Sequence, residues 1–306
     1  MRGLVTKSTG SWYVVEGENG KRIPCRIQGK FRTKGIKATN PIAVGDWVRY
    51  EHEPDQESAI ITALEPRKNY IIRRSINLSK QVQIIGANLD QALLVVTLAS
   101  PPTSFGFIDR FLVTAEAYDI PAVLVFNKLD LFSEDGLDIL RDYMELYEQI
   151  GYPCYAVSAQ DKTNLAEIRQ LLQDKTTLVS GHSGVGKSTL INAIEPTVAL
   201  KTGEISEWSD KGKHTTTFAE MIDLSFGGKL IDTPGIRELG IVDIEQGELA
   251  HFFPEMRARL NACRFHNCRH INEPGCVVID AVQSGDIQST RYDSYLSIYN
   301  NQDTRN

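Results

Sequence analysis

The spacing of apolar residues changes near residue 88, and the two parts of the chain predict different folds. Before that point, short segments rich in β-branched and aromatic residues are separated by Gly, Pro and Asn, which is typical of strands and turns. Short, closely spaced strands predict an all-β domain over residues 1–66, namely a five-stranded barrel of the OB-fold type, or another small barrel such as an SH3-like one. The strand segments are 11–15, 22–27, 46–50 and 58–62.

Apolar runs of strand length alternate with helical stretches in the central part of the chain. This alternation predicts a largely parallel sheet with helices on both faces, an α/β domain over residues 67–236. Beyond it, helical stretches at 245–260 and 286–299 predict a mostly helical C-terminal domain over residues 237–306. The central strand runs are 92–98, 122–126, 155–157, 177–179, 218–224 and 229–231, and the helical stretches are 107–118, 133–149 and 163–172.

The composition is that of an ordinary soluble protein. Of 306 residues, 42% are hydrophobic and 24% are charged. The longest apolar runs are far shorter than the roughly 20 residues that span a bilayer. Residues 1–15 also lack the basic-then-apolar pattern of a signal peptide. We therefore expect a cytoplasmic protein without a membrane partner, and we expect it to be a monomer.

Basic residues are concentrated at the start of the chain. The formal net charge is −6, yet residues 1–80 contain 15 Lys and Arg against 8 Asp and Glu. Residues 21–37 hold seven basic side chains and no acidic one. Such a stripe is typical of proteins that bind a nucleic-acid phosphate backbone, although a merely solvated face is the alternative.

A complete phosphate loop, G-x-x-x-x-G-K-S, begins at Gly181, after one predicted strand and before a helical stretch. Its glycines allow backbone N–H groups to point at phosphates. Lys187 supplies charge at the β- and γ-phosphates, and the Ser188 hydroxyl is placed to bind Mg²⁺. The residues predicted to bind the phosphates are Gly181, His182, Ser183, Gly184, Val185, Gly186, Lys187, Ser188 and Thr189.

Two further motifs predict guanine recognition. Asn127-Lys128-Leu-Asp130 follows the strand at 122–126, and a carboxylate at Asp130 can accept hydrogen bonds from guanine N1 and N2, which adenine does not offer as a pair. Asn127 would tie this loop to the phosphate loop, and Lys128 would pack along the base. Ser158 and Ala159 follow the strand at 155–157 and fit a backbone contact to guanine O6.

The remaining nucleotide motifs lie after the phosphate loop. Asp232 would hold Mg²⁺ through water, and the Gly235 N–H would contact the γ-phosphate, in a D-x-x-G motif after the strand at 229–231. The segment 213–217 supplies a threonine that closes on Mg²⁺, either Thr215 or Thr216.

The order of these motifs along the chain is circularly permuted. The guanine motifs come first and the phosphate loop, the threonines and D-x-x-G follow, whereas a standard GTPase domain begins with the phosphate loop. A permuted chain keeps the same site when the original termini lie close together and the new ends fall at the surface. The D-x-x-G motif is thereby joined directly to the C-terminal region, so we expect the nucleotide state to move that region.

A cluster of cysteine and histidine near the C-terminus predicts a structural zinc site. Cys263, Cys268, His270 and Cys276 form a complete tetrahedral set of ligands with no open position. His266 is an alternative to His270, and buried free cysteines are an alternative to a metal site.

Together these features resemble the RsgA/YjeQ family of circularly permuted GTPases, which assist assembly of the small ribosomal subunit. The resemblance covers nearly the whole chain and rests on the barrel, the motif order, residues 213–217 and the Cys/His cluster. It implies an OB-fold, a permuted GTPase domain, a zinc domain, and GTP hydrolysis stimulated by the small subunit during its late maturation, with its rRNA as a partner. The alternative is a GTPase switch that acts on a non-ribosomal RNA or protein complex.

Hydrolysis also needs a group that orients the attacking water. Ras-like enzymes have a glutamine directly after D-x-x-G, but this chain has Ile236 there. His214 is the candidate in its place, and the resemblance points the same way; the alternative is that His214 contacts the ribosome or solvent. We therefore predict slow hydrolysis by the isolated protein. The expected catalytic residues are His214, Lys187, Thr215 and Thr216.

Overall fold

A computed structural model of the chain describes residues 1–27, 40–54, 56–74, 82–198, 219–232 and 244–300, without the side chains of residues 73, 74, 82 and 232. Within these ranges, a β-barrel is followed by an α/β domain and a mostly helical C-terminal part. None of the helices in the described ranges has both the length and the apolar character needed to cross a bilayer.

Five strands form the N-terminal barrel. They neighbour one another in the order β1-β2-β3-β5-β4, and β4 returns to β1, so the barrel is closed. Alternate side chains fill its interior, as in β2, where Tyr13 and Val15 are buried while Val14 and Glu16 are partly exposed. The prediction of a five-stranded OB-like barrel is confirmed. The strands are β1 (Arg2–Ser8), β2 (Tyr13–Gly17), β3 (Arg22–Ile27), β4 (Trp47–His52) and β5 (Ala59–Leu64).

Strand β1 was missing from the sequence prediction, although it pairs with β2, β4 and one strand of the central domain. Gly3 in its interior weakens the strand pattern. The structure explains this glycine, because a Cβ there would lie 2.4 Å from Val15 Cγ1 and 2.9 Å from the Tyr50 ring. Close packing inside the barrel thus selects a residue that local propensity disfavours.

The central domain has a six-stranded sheet in the order β10-β9-β8-β11-β13-β12, in which only β12 is antiparallel to its neighbour. The predicted largely parallel sheet is therefore confirmed. The strands are β8 (Gln91–Val96), β9 (Ala122–Phe126), β10 (Cys154–Ala156), β11 (Thr176–Ser180), β12 (Glu220–Asp223) and β13 (Lys229–Asp232).

Helices cover both faces of this sheet. In β8, Leu94 belongs to the core under α1 and α2, whereas Leu93 belongs to the core under α3 and α4. Burial on both faces explains the continuous apolar run of β8. The helices are α1 (Phe105–Ala117), α2 (Glu134–Ile150), α3 (Leu165–Leu172) and α4 (Lys187–Ile194).

Two connections join the barrel to the central domain. The edge strand β12 pairs with β1 at Glu220 and Lys7, so the sheet continues into the barrel and its edge is covered. In addition, an antiparallel hairpin of β6 (Tyr70–Arg74) and β7 (Val82–Ala87), absent from the sequence prediction, packs on the turn before β4. Gly45 in that turn has φ +92°, and a Cβ there would overlap the Ala87 carbonyl.

The C-terminal part differs from the prediction of one helix over 245–260. Pro254 divides this stretch, since proline lacks the N–H needed inside a helix but suits its first turn. The prediction also missed α6 (Val277–Ser284), whereas the last helix, α7 (Ser289–Tyr299), was expected. The short elements in the divided stretch are a 3₁₀ turn at Leu249–Phe252, α5 (Pro254–Arg257) and a 3₁₀ turn at Leu260–Ala262.

Candidate nucleotide site and Cys/His centre

The phosphate loop lies between the end of β11 at Ser180 and the start of α4 at Lys187. Its glycines adopt conformations that other residues avoid, with φ of +144° at Gly181 and +90° at Gly186. A Cβ would lie 2.4 Å from the Val95 carbonyl oxygen at Gly181 and 2.5 Å from Asn127 Nδ2 at Gly186. Neighbouring backbone and side chains therefore fix both glycines.

Lys187 and Ser188 occupy the first turn of α4, where helix N–H groups and the helix dipole favour an anion. The Lys187 ammonium folds back over the loop and donates to the carbonyl oxygens of Gly181 and His182, the latter at 3.0 Å. Thr189 follows in the same turn. The loop, the lysine and the helix start form a cradle suited to phosphate groups.

Asn127 connects three of the motifs. It directly follows β9, is 1% exposed, and donates from Nδ2 to the Val185 carbonyl oxygen at 2.9 Å. Its Oδ1 accepts from the Ala159 N–H at 3.1 Å. One buried amide thus holds the phosphate loop and the Ser158-Ala159 loop in register.

The loops at the proposed base site are also held together. The Ser158 hydroxyl donates to Asp130 Oδ1 at 2.5 Å and accepts from the Asp161 N–H at 3.0 Å. Lys128 has a left-handed backbone, with φ +70°, and its ammonium donates to the Ser100 carbonyl oxygen. These contacts fix the Asp130 carboxylate at the carboxyl ends of β9 and β10, beside the phosphate loop.

The structure places part of the D-x-x-G motif. Asp232 ends β13 and pairs in register with Val179 of β11, so its backbone lies at the same edge of the sheet as the phosphate loop. The other expected residues, His214, Thr215, Thr216 and Gly235, lie outside the described residues. Their roles stay predictions.

The predicted zinc ligands come together. One ligand atom from each of Cys263, Cys268, His270 and Cys276 lies within 4.8 Å of the others, and His270 Nδ1 is 3.3 Å from Cys276 Sγ. A zinc ion bound tetrahedrally at about 2.3 Å from sulfur needs ligand atoms roughly 4 Å apart, so the residues fit such an ion. His266, the alternative, is exposed and outside this cluster.

Hydrogen bonds between side chains and the backbone hold the loop around this cluster. The Tyr292 and Tyr295 hydroxyls donate to the carbonyl oxygens of His270 and Arg269 at 2.7 and 2.6 Å. Burial lowers the pKa of His270, which favours the neutral imidazole that a metal requires. Burial alone would raise the pKa of Glu273, but backbone N–H groups, including those of Arg269 and Ile271, outweigh it and lower that pKa to about 2.

Two features near the sites were not found from the sequence. The loop before α1 contacts the phosphate loop, with Thr103 Oγ1 2.8 Å from His182 Nε2. A buried ion pair joins Asp109 of α1 to Arg291 of α7 at 2.6 Å. The only local signal was the carboxylate of Asp109 in a predicted helix that is otherwise largely apolar around it, apart from the adjacent Arg110.

The sheet order and the motif positions define the class of protein: a circularly permuted GTPase domain between an OB-like barrel and a helical domain with a Cys/His cluster. Two family profiles match the chain, the RsgA N-terminal domain over residues 2–60 and the RsgA GTPase over residues 64–242. The chain belongs to the RsgA GTPase family.

Relatives match it over almost their whole length. The small ribosomal subunit biogenesis GTPase RsgA of Christiangramia forsetii is 53% identical over 97% of this chain and 95% of its own. RsgA 2 of Bacteroides thetaiotaomicron is 54% identical over 97% of this chain and 96% of its own.

Two solved structures of similar proteins have the same fold over almost the whole chain. The crystal structure of YjeQ from Thermotoga maritima covers 100% of this chain and 99% of its own with a TM-score of 0.80 and 38% identity. That of YloQ, described as a circularly permuted GTPase, covers 98% of this chain and 94% of its own with a TM-score of 0.75 and 35% identity.

Proposed function

We propose that this protein binds GTP with Mg²⁺ and hydrolyses it as a molecular switch. The observation that carries the proposal is the position of Asn127, which bonds the phosphate loop at Val185 and the Ser158-Ala159 loop at once. In this site Lys187 neutralises phosphate charge, Ser188 binds Mg²⁺ and Asp130 selects guanine.

The attacking water needs a positioning group. Ile236 cannot hydrogen-bond, so His214 remains the candidate, with Thr215 or Thr216 closing on Mg²⁺ and Asp232 and Gly235 completing the γ-phosphate side. A contact of His214 with the partner or with solvent remains the alternative to catalysis. Either role fits slow hydrolysis by the protein alone.

The partner we propose is the small ribosomal subunit with its rRNA, because the relatives are named for biogenesis of that subunit. An OB-like barrel is a fold often used for RNA, and residues 1–66 would form this RNA-binding domain. In the described part of the basic stripe, Arg26 and Arg22 already pair with acidic residues, Glu53 and Asp223 among them. We expect the protein to act in the cytoplasm as a monomer.

We further propose that the Cys/His cluster holds one structural zinc ion. Three thiols and the Nδ1 of His270 supply four ligands and leave no open position. Residues 237–306 would then be the zinc domain and residues 67–236 the GTPase domain. When bound, the zinc ion would cross-link the loop that carries its four ligands. Tyr292 and Tyr295 hold the backbone of that loop by hydrogen bonds.

The first experiment measures GTP hydrolysis by the purified protein alone, with small subunits and with large subunits. We expect a slow basal rate and strong stimulation by small subunits only. Stimulation by neither subunit would favour the alternative, a GTPase that acts on a non-ribosomal RNA or protein complex. Failure to bind GTP at all would overturn the proposal.

A second experiment tests base recognition with Asp130→Asn. Loss of charge-assisted hydrogen bonds to guanine is expected to weaken GTP binding by about 10-fold to 100-fold, and an amide can instead donate to the O2 of xanthine. Titration with GTP and XTP measures the change. The control is Asp138→Asn, an exposed carboxylate on α2, and unchanged GTP selectivity in Asp130→Asn would contradict the assignment.

A further inference from the structure

His182, a variable position of the phosphate-loop motif, forms contacts both within that loop and outside it. Its Nδ1 lies 3.1 Å from the Ser183 carbonyl oxygen, and its Nε2 lies 2.8 Å from Thr103 Oγ1. A carbonyl oxygen only accepts, so Nδ1 carries a proton, and in the neutral imidazole Nε2 then accepts from the Thr103 hydroxyl. Thr103 Oγ1 in turn accepts from the Thr97 N–H at 3.1 Å.

The imidazole also packs on the first turn of helix α1. The rings of His182 and Phe107 meet edge to face with centroids 5.5 Å apart. Ser104 caps the same turn by accepting from the Phe107 N–H. The hydrogen bond joins the phosphate loop to the residues just before α1, and the aromatic contact joins it to the first turn of that helix.

The C-terminal domain packs against the same helix, α1. Asp109, only two residues after Phe107, accepts from Arg291 of α7 at 2.6 Å, and both side chains are fully buried. Val113, one turn further, belongs to the apolar core of the C-terminal domain. From Phe107 to Val113 the helix rises only about 9 Å, so the two contacts share a rigid element.

Nucleotide would change the contacts of His182. Lys187 Nζ donates to the His182 carbonyl oxygen at 3.0 Å, and an ionised phosphate is a stronger acceptor than a carbonyl. Binding of phosphate therefore competes for a hydrogen bond to the backbone of the residue that contacts α1.

We infer that His182 is a positioning residue that fixes the phosphate loop to α1 and so links nucleotide binding to the docking of the C-terminal domain on that helix. This link through His182 and α1 differs from the covalent connection through the chain after Gly235. The inference rests on the proposed function, since it takes GTP as the ligand of the phosphate loop.

The test compares His182→Gln, which keeps a donor and an acceptor, with His182→Phe, which keeps an aromatic ring but has neither. His52→Gln, at an exposed histidine of the barrel, is the control. Hydrogen exchange of residues 289–299 is measured with and without a non-hydrolysable GTP analogue, together with the Kd for that analogue.

We expect nucleotide to slow exchange in α7 of the wild type, His182→Gln and His52→Gln. In His182→Phe this response is lost and the Kd rises by about 5-fold to 20-fold. A full α7 response in His182→Phe, or none in a wild type that binds the analogue, would overturn the inference. Failure of the wild type to bind the analogue would instead overturn the proposed function.

The single variant Thr103→Val covers the case in which His182→Phe does not fold, and where His182→Phe does fold the two changes are combined in a double-mutant cycle. Thr103→Val removes the hydroxyl that donates to Nε2 and should reproduce the loss of the α7 response. Both changes break the hydrogen bond between Thr103 and His182, so the loss of affinity in the double variant should be smaller than the sum of the two single losses, even though Thr103→Val also removes the acceptor of the Thr97 N–H. Additive losses would show that the two side chains act independently and would contradict the inference.

Discussion

The central domain contacts both the barrel and the C-terminal domain through charged side chains. These side chains are exposed at the barrel and buried at the C-terminal domain. Where the barrel meets β12 and β13, Lys7 pairs with Glu220 and Lys229 pairs with Glu16, both at 2.9 Å, and these side chains are 21–54% exposed. Where the C-terminal domain meets α1, Arg291 pairs with Asp109 at 2.6 Å and both are 0% exposed.

The difference is one of desolvation. Exposed ion pairs contribute about 0–1 kcal/mol each and are screened by salt. A buried pair has lost its water, so removal of one partner leaves an uncompensated charge and costs about 3–5 kcal/mol. Burial disfavours the charge of Arg291, but Asp109 and Glu255 outweigh it and raise the pKa of the guanidinium. The C-terminal domain should therefore dock in an all-or-none way, while the contact at β12 and β13 can loosen gradually.

Loss of the proposed zinc ion should have the largest effect, because the C-terminal domain would then unfold and its contact with α1 would be lost. Structural zinc contributes on the order of 10 kcal/mol in small zinc domains. We expect one zinc per chain by metal analysis, and we expect Cys268→Ser to abolish zinc binding and expose residues 244–300 to protease. The control is Cys154→Ser, at a free cysteine outside the cluster; an intact C-terminal domain without zinc would contradict the assignment.

Arg291→Met tests the buried pair itself. It should lower the free energy of unfolding by about 3–5 kcal/mol, because Asp109 stays buried without its cation. Urea denaturation measures the change. The triple variant Arg291→Met, Asp109→Asn and Glu255→Gln should recover much of the lost stability, since it also removes the two carboxylate charges left without a partner. If Arg291→Met alone lowers the free energy of unfolding by less than about 1 kcal/mol, the buried pair contributes no more than the exposed pairs at the barrel.

Sequence reasoning brought the candidate nucleotide-binding motifs together more easily than these interfaces, and the reason is distance along the chain. The phosphate loop and the motif at Asn127 each follow a strand within a short window, so their order alone predicted the permuted sheet. Asp109 and Arg291 are 182 positions apart, and no local pattern relates them.

The elements that the sequence prediction missed or misjudged have two different causes. Strand β1 contains Gly3, whose presence makes sense only against Val15 and Tyr50 of the folded barrel. In the C-terminal part, apolar residues around Pro254 match a helical period, yet the proline divides that stretch. Tertiary packing in the first case and one backbone N–H in the second decided the structure.

Glu195 is a third kind of charged group, to be compared with the exposed and the buried ion pairs: in the part of the chain that the structure describes, it is a buried carboxylate held by hydrogen bonds and not by a cation. It is 1% exposed and accepts from the Ser225 N–H at 2.6 Å and from the Thr197 hydroxyl at 2.5 Å. The hydrogen bonds from Ser225 and Thr197 lower its pKa to about 2. A lowered pKa stabilises the fold above the ordinary value near 4.5, and this stability is lost as the pH falls towards 2.

We expect Glu195→Gln to cost about 1–3 kcal/mol at pH 7 and to flatten the decline of stability on acidification. Urea denaturation at several pH values measures both effects. Glu167→Gln, an exposed glutamate on α3, is the control. An unchanged acid dependence in Glu195→Gln would show that the buried carboxylate is not the group that titrates.

Arg22→Gln should have the smallest effect. Arg22 is 40% exposed and pairs with Glu16 within the barrel and with Asp223 of β12 in the central domain. Its loss should lower stability by less than about 1 kcal/mol at low salt, and because salt screens exposed charges, the difference should vanish near 1 M salt. The control is Arg141→Gln, whose partner Asp138 lies in the same helix, α2, and whose ion pair is still more exposed, at 75% and 64%. If Arg22→Gln instead cost as much as Arg291→Met and resisted salt, the charges at β12 and β13 would be as desolvated in solution as those on α1, and the two interfaces would work alike.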